Sequence, residues 1–405
     1  MSKSSNFRQL SILVIVLLGG FMFIHVCNCS ATTIYGDIVE SNSARGLAMG
    51  AASIVVADGS IAHLSNPAAL ILVPKSVILG GVNFDQVSEE SFYEDKQNLD
   101  NSQTYFNPLR SQGFVIKNGE AFTGALSRGM LFDYYTKQEA FDEKTKASSS
   151  YESKGGLYSF SALAAKQVVP RMAIGGSVNV LRGNVNAESR YTFGKITSSV
   201  TYENTASGMN ISLGGLYIVN EQFTIGAVYR TSAEITEKLT YTETEAKKVN
   251  TVASKEKWTY PSSMGIGGSY KNNQVLMVGE IHRTNWSDYE SHEAGELPFR
   301  PGYVNLTTFH VGLEYGVPAP SISPDPVLLR IGFYTCPLHF LEELSTDETT
   351  GYFLTMGAGI SAGEFKLDIA GQFGKKTFTE MEGNSDYEAS IKSVLGTIRY
   401  QFDLF

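Results

Sequence analysis

From residue 76 onward, short stretches of alternating apolar and polar residues are joined by connections that are by turns very short and very long. That regularity leaves few folds open. Alternation with a period of two puts successive side chains on opposite faces of a strand. In 364–373, Phe365, Leu367, Ile369 and Phe373 share one face while Glu364, Lys366, Asp368 and Gln372 share the other. The stretch 391–405 repeats this, with Val394, Gly396, Ile398, Tyr400 and Phe402 opposite Ser393, Thr397, Arg399, Gln401 and Asp403. In 222–231, Phe223, Ile225, Ala227 and Tyr229 oppose Gln222, Thr224 and Arg230. Segments 274–284 and 172–181 are noisier, because Leu276, Val278 and Leu181 fall on the polar face.

Fourteen strands are predicted, near 76–84, 111–117, 120–134, 155–167, 171–185, 206–219, 222–236, 260–270, 274–285, 306–315, 327–335, 352–361, 363–374 and 391–405. Tight joins at Asn118-Gly119, Val169-Pro170, Asn220-Glu221, 271–273 and Ala362-Gly363, with a Pro-rich join at 317–326, alternate with seven long polar connections such as 136–154, 237–259 and 375–390. An even strand count with strictly alternating loop lengths predicts an antiparallel transmembrane β-barrel, turns on one side of the membrane and loops on the other. A soluble sandwich does not sort its loops this way. Tyr217, Phe223, Tyr270, Tyr315, Phe365 and Phe402 fall near the predicted short turns or the last strand's end, where an interfacial aromatic girdle would lie.

The start of the chain agrees with export. Lys3 and Arg8 precede an apolar run over 10–24, followed by Cys27-Asn28-Cys29-Ser30-Ala31, the order of charged, apolar and small residues in a signal peptide. Residues 1–30 are read as that peptide, cleaved between 29 and 32; a lipid anchor on Cys27 or Cys29 is the poorer reading, because the residues before each cysteine fit it badly. No second long apolar run follows, so only a closed barrel could place the mature chain in a bilayer. The mean hydropathy of −0.08 suits a wall that is oily on one side and wet on the other. The 32 basic and 41 acidic residues become 30 and 41 once Lys3 and Arg8 leave, which argues against a nucleic-acid partner. If the two leader cysteines leave as well, Cys336 stands alone and no disulfide framework is open to the chain.

Residues 44–70, ARGLAMGAASIVVADGSIAHLSNPAAL, do not read as strand. Asp58-Gly59-Ser60 offers turn and cap chemistry, Asn66-Pro67 a bend followed by a capped turn, and Gly46, Ala48, Gly50, Ala51 and Ala52 are small enough to pack inside something else. This stretch resembles the N-terminal hatch of the FadL/TodX (OMPP1) family of outer-membrane transport proteins, with its run of small residues, Ala-Asp turn and Asn-Pro-Ala close. Residues 260–289 are similar to that family's strand-turn-strand block ending in an aromatic Trp-Ser motif. Residues 309–334, with Leu-Arg-Ile-Gly-Phe-Tyr, and 352–374 resemble its next hairpins. Ala-His-Leu-Ser before Asn66 departs from the aromatic common there.

The resemblance implies a small helical hatch over 31–75 plugging the lumen of a barrel formed by 76–405. It implies passive uptake of long-chain fatty acids or other hydrophobic molecules across a bacterial outer membrane. The partners it implies are outer-membrane lipid, a fatty-acid-like ligand and, during biogenesis, the barrel-assembly machinery, with no cofactor. A barrel of this family serving instead as a partner-binding or secretion-associated surface component is the alternative, and an open porin the third reading. Hatch or gating roles fall to Arg45, Gly46, Met49, Gly50, Asp58, Asn66 and Pro67. Arg230, Arg330 and Arg399 are candidate contacts for a substrate head group, because a guanidinium suits a carboxylate; inward charge ladders with neighbours such as Glu314 and Asp368 are the plainer reading, as a structural salt bridge is for Arg45. Trp286 belongs to a loop groove or to the outer aromatic girdle. No enzyme is read: the six histidines show no metal-binding spacing, and no nucleophile elbow or phosphate loop is present.

Overall fold

The computed structural model describes residues 37–56, 66–93, 96–119, 122–142, 147–193, 196–245, 248–293, 305–321, 323–337, 350–380 and 385–403. The expected signal peptide, Asp58 and the turn around it lie outside them. No helix among the described residues is long and apolar enough to cross a membrane.

The strands run β1 (Ser76–Tyr93), β2 (Lys96–Asn118), β3 (Phe122–Asp133, continued by Thr136–Asp142), β4 (Ala147–Val169), β5 (Met172–Phe193), β6 (Ile196–Ile218) and β7 (Phe223–Arg230, continued by Ala233–Glu245). They go on as β8 (Lys248–Tyr260, continued by Ser263–Lys271), β9 (Val275–Thr284, with Ser291–Glu293 beyond a 3-10 turn), β10 (Leu306–Val317), β11 (Val327–Thr335), β12 (Thr350–Ala362), β13 (Phe365–Glu380) and β14 (Ser385–Phe402). Each described strand pairs antiparallel with its neighbours, and β14 pairs with β1 from Phe402↔Ser76 to Ser385↔Tyr93. The fourteen staves therefore close into a barrel with no edge left open, the condition for a sheet to sit in hydrocarbon.

The two faces sort as the alternation requires. Met172, Ile174, Val178 and Val180 of β5 are exposed on the outer face while Ala173, Ser177, Asn179 and Leu181 are buried inside. Tyr217, Phe223, Tyr315 and Phe365 stand exposed near the tight turns, with Phe223 against Tyr270 at 5.0 Å and Phe365 against Tyr400 at 4.9 Å between ring centroids.

The strands reach much further on the loop side than the sequence reading allowed. Much of the predicted connection 136–154 is a hairpin, paired from Thr136↔Ser153 to Asp142↔Ala147, and 237–259 is another, paired within a ladder from Ala233↔Tyr260 to Glu245↔Lys248. These stretches are polar on both faces because both faces meet water there, so no apolar alternation marks them as strand. Their Thr, Tyr, Ser and Val residues favour strands.

A hatch fills the lumen. Asp37–Ile38 pairs antiparallel with Asp133 and Phe132 of β3, helix α1 spans Ala44–Ala48, and a 3-10 helix spans Pro67–Leu72. The inward apolar residues that spoiled the alternation lie under it or above it. Val278 packs with Met49, Ala52, Ile54, Val55 and Ala68 of the hatch, Leu276 packs against the same cluster, and Leu181 joins an apolar cluster nearer the loop end. A second group under the hatch joins Leu70 and Val73 to Val77, Leu79, Val115 and Leu163 of the wall.

Candidate functional site

The hatch is fastened to the wall at separate points, each traceable to particular side chains. Asn42 comes first. β3 carries a bulge between Met130 and Phe132, where the ladder to β4 is interrupted. The Asn42 carboxamide donates to the Met130 carbonyl at 2.7 Å and accepts from the Met130 N–H at 3.1 Å, while Ser111 Oγ donates to the Asn42 carbonyl at 2.7 Å. A side chain of the hatch thus satisfies backbone groups that the wall presents at its bulge.

Helix α1 begins at Ser43, whose extended backbone and hydroxyl, accepting from Gly46 N at 2.9 Å, form an N-cap. Ala44 N donates to Thr397 Oγ1 of β14 at 2.9 Å. Arg45 then reaches sideways and donates from Nε and Nη2 to the two oxygens of Glu314, each at 3.0 Å. Glu314 also receives Arg330 Nε at 2.7 Å; Arg330 Nη1 donates to Asp368 at 2.7 Å, and Asp368 receives Arg399 as well. Three guanidiniums and two carboxylates thus alternate from hatch to β14. The Arg330 side chain is fully buried and that of Asp368 is 2% exposed. Buried charges are tolerable only when paired, and here each carboxylate faces two guanidiniums while Arg330 Nη2 is left without a hydrogen-bond partner among the described residues.

At the end of α1 the chain turns hard against the wall. Gly50 has φ +68°, a region costly for other residues, and its N–H donates to Thr355 Oγ1 at 3.2 Å. His310 Nδ1 donates to the Gly50 carbonyl at 2.8 Å, which in a neutral ring leaves Nε2 to accept from Thr308 Oγ1 at 2.9 Å. The wall answers with glycines: a Cβ on Gly312 would lie 2.8 Å from Met49 Cα, and one on Gly332 would lie 2.7 Å from Gly50 Cα. Asn66 and Pro67 meet a second such place. Asn66 caps the 3-10 helix by accepting from Ala68 N at 3.0 Å and donates to the Gly215 carbonyl at 2.8 Å, with Gly214 leaving space for its side chain.

Between these points Glu280 of β9 holds the backbone directly. Its carboxylate, wholly buried, accepts from the N–H groups of Ser53 at 2.8 Å, Ile54 at 2.6 Å and Val55 at 3.4 Å, and contacts His282 Nε2 at 3.1 Å. A carboxylate facing several converging N–H donors is a strong, charge-assisted anchor.

Arg45, Arg330 and Arg399 therefore come together in one network, and Gly46, Met49, Gly50, Asn66 and Pro67 all lie in the buried hatch or its immediate supports. Arg230 and Trp286 lie elsewhere. Trp286 is 3% exposed and packs inside with Phe132, Tyr260 and Tyr289 rather than on the outer girdle, and it lines a chamber together with Arg230. That chamber, of about 90 Å³, is also lined by Glu40, Ser53, His282, Thr308 and His310 among others. A second cavity of about 120 Å³ lies beside Arg45, Arg330, Lys366, Asp368 and Arg399. On the outer wall an open apolar groove of about 850 Å³ runs over the exposed Ile225, Ile266, Ile281, Phe309 and Val311. No group of His, Cys, Asp or Glu among the described residues could hold a metal ion.

Sequence reasoning missed Glu280, Asn42, His310 and the wall glycines. Glu280 had left a trace, a carboxylate on the inward row beside the apolar Val278 and Leu276. A lone charge in such a row needs donors brought from elsewhere, and here the hatch backbone supplies them.

The same architecture recurs in solved structures. A Pseudomonas aeruginosa FadL homologue aligns with TM-score 0.66 at 14% identity over 91% of this chain and 100% of its own. The Pseudomonas putida toluene transporter TodX aligns at 0.66 and 16% over 91% and 100%, and the Ralstonia pickettii toluene transporter TbuX at 0.63 and 17% over 90% and 99%. At such identities the likeness is one of fold. No curated protein matches the chain. The family model described as BamG matches residues 7–382, and the chain belongs to that family.

Proposed function

We propose that this protein is a stoppered outer-membrane barrel that serves as a partner-binding component of outer-membrane protein assembly. The name of its family, BamG, hints at an association with the barrel-assembly machinery. The observation that carries the reading is the way the hatch is held: the charge chain that Arg45 starts is matched by wall groups, and Glu280 takes three backbone donors of the hatch. Two cavities that touch the described hatch measure about 90 and 120 Å³, and their linings mix apolar residues such as Val39, Phe132 and Ile360 with charged and hydrogen-bonding groups. An apolar cavity of about 150 Å³ is what benzene alone occupies. A fixed stopper frees the barrel's outer wall and long hairpins for protein contacts. The test is affinity purification of the tagged protein from its native membrane: recovery of the assembly machinery's central barrel in near-equal amount supports this role, and its absence under mild detergent overturns it.

A second reading is passage of hydrophobic compounds, whether long-chain fatty acids or smaller hydrocarbons. It is favoured by the plugged-barrel architecture shared with proteins described as toluene transporters. Binding of radiolabelled fatty acid to the purified barrel, with and without residues 31–70, separates the two. Saturable binding that vanishes with the hatch favours passage, whereas equal binding in both forms removes the hatch from any transport route.

A further inference from the structure

The charge network that Arg45 starts keeps one donor in reserve. Arg330, its side chain fully buried, gives Nε to Glu314 and Nη1 to Asp368, while Nη2 has no hydrogen-bond partner among the described residues. Buried donors are seldom left so, and water or a ligand commonly meets those that protein groups do not. Beside it stands Gly359 of β12, where a Cβ would lie 2.7 Å from Nη2 and 2.9 Å from Nη1. The glycine thus opens the wall at the unused donor, and both residues line the cavity of about 120 Å³ described above.

Lys366 of β13 lines the same cavity. It is half-buried and makes no ion pair among the described residues, because Asp368, two positions along on the same face, is taken by Arg330 and Arg399. Arg45 and Glu314 are bound to each other, and Asp325, exposed on the Pro-rich join, is the next carboxylate whose field reaches Lys366. Glu364 and Asp403 stand further along the rim with Lys75, whose ammonium holds Asp403 at 2.7 Å. Within the network and the cavity, four cations (Arg45, Arg330, Lys366 and Arg399) therefore face two carboxylates. Register sets Lys366 between Ser361 and Arg399, close to the tight Ala362-Gly363 join. The cavity thus lies at the short-turn end, which barrels of this kind turn to the periplasm.

We propose that this cavity binds a small free oxyanion, held by Arg330 Nη2 and Lys366. Guanidinium and ammonium groups only donate, so the ligand must bring acceptors, and an oxyanion carries several on one centre and can meet both cations at once. Its charge offsets cations that the two carboxylates leave in excess. Leu328 and Ile360 complete the lining and keep water from screening the contact. The volume is below the roughly 150 Å³ that benzene occupies, which suits a compact ion and leaves no room for an acyl chain. Neither Arg45 nor Arg399, each engaged already, is needed as a ligand. The site depends on neither the assembly role nor the passage of hydrophobic compounds, so failure of either reading leaves it standing.

Isothermal titration calorimetry of the full-length mature barrel in phosphate-free detergent buffer tests it, with inorganic phosphate, sodium chloride at matched ionic strength, and octanoate as titrants. Phosphate should give a saturable heat, chloride none, and octanoate should bind more weakly than phosphate. Lys366→Gln should weaken phosphate binding about tenfold, the effect of losing one charge-assisted contact, and Lys366→Arg should restore most of it. Lys271→Gln, exposed at another short turn, should leave binding unchanged. Heat-modifiable mobility in gels shows that each variant still folds, and Lys366 has no ion pair whose loss would unfold the barrel. An absent phosphate heat, an affinity unchanged in Lys366→Gln, equal heats from chloride, or octanoate binding more tightly than phosphate would each overturn the assignment.

Discussion

Two carboxylates divide the work at the level of single residues, and they predict different failures. Glu280 accepts from three backbone N–H groups; its amide counterpart has one acceptor oxygen and turns an NH₂ toward the same donors. Glu280→Gln should lower barrel stability by about 2 kcal/mol, the scale for stranding buried donors, and should speed proteolytic cutting within residues 50–56, measured by mass spectrometry of the released fragments. Asp368 stands between Arg330 and Arg399, so Asp368→Asn leaves two buried guanidiniums with one carboxylate, Glu314, between them and Arg45. A loss of about 3 kcal/mol is expected in urea unfolding followed by heat-modifiable mobility. Arg45 is partly exposed, with 18% of its side chain accessible, so Arg45→Ala should cost about 1 kcal/mol and leave Arg330 and Arg399 engaged. The roles of Arg45, Arg330 and Arg399 were only partly legible in the sequence: their inward direction followed from alternation, but which carboxylate each would meet did not, because the three residues lie on the hatch, β11 and β14.

The hatch and the wall were built for each other through their smallest residues, an observation that belongs to whole elements. Small residues at 46–52 were visible in the sequence as packing signals, yet the glycines that receive that stretch are scattered over β10, β11 and β12 and look there like ordinary breaks in a strand. Gly332→Ala should force a Cβ into the Gly50 backbone, costing about 1–3 kcal/mol and exposing the hatch to protease, whereas Gly279→Ala adds a Cβ into open space and should change neither. Failure of that contrast would mean that the hatch does not bear on β11 as described. The same scale explains why the predicted loops proved to be hairpins. Hydrophobic alternation reports one oily face, and a strand standing in water on both sides has none, although its Thr and Tyr content still favours the ladder.

For the molecule as a whole, the stopper predicts silence. The protein reconstituted in a planar bilayer should show no steady ion current, and removal of residues 37–72 should produce one, because the chain that occupies the lumen among the described residues would be gone. A native protein that conducts as strongly as the shortened one would contradict a sealed lumen. The outer wall would then be the lesser part of its function, and the reading as an assembly partner would lose its main support.

The chain's local pattern alone determined the strand number, the alternation of tight turns with long connections and a non-strand segment at the front, since each of these depends on residues within a few positions of one another. Only the tertiary structure decided where that front segment rests. Ala44 meets Thr397, Arg45 meets Glu314 and Ile54 meets Glu280, partners separated in the chain by 353, 269 and 226 positions. A period of two tells a side chain to face inward; what it finds there is set by how the ring closes and by which part of the hatch is pressed against it.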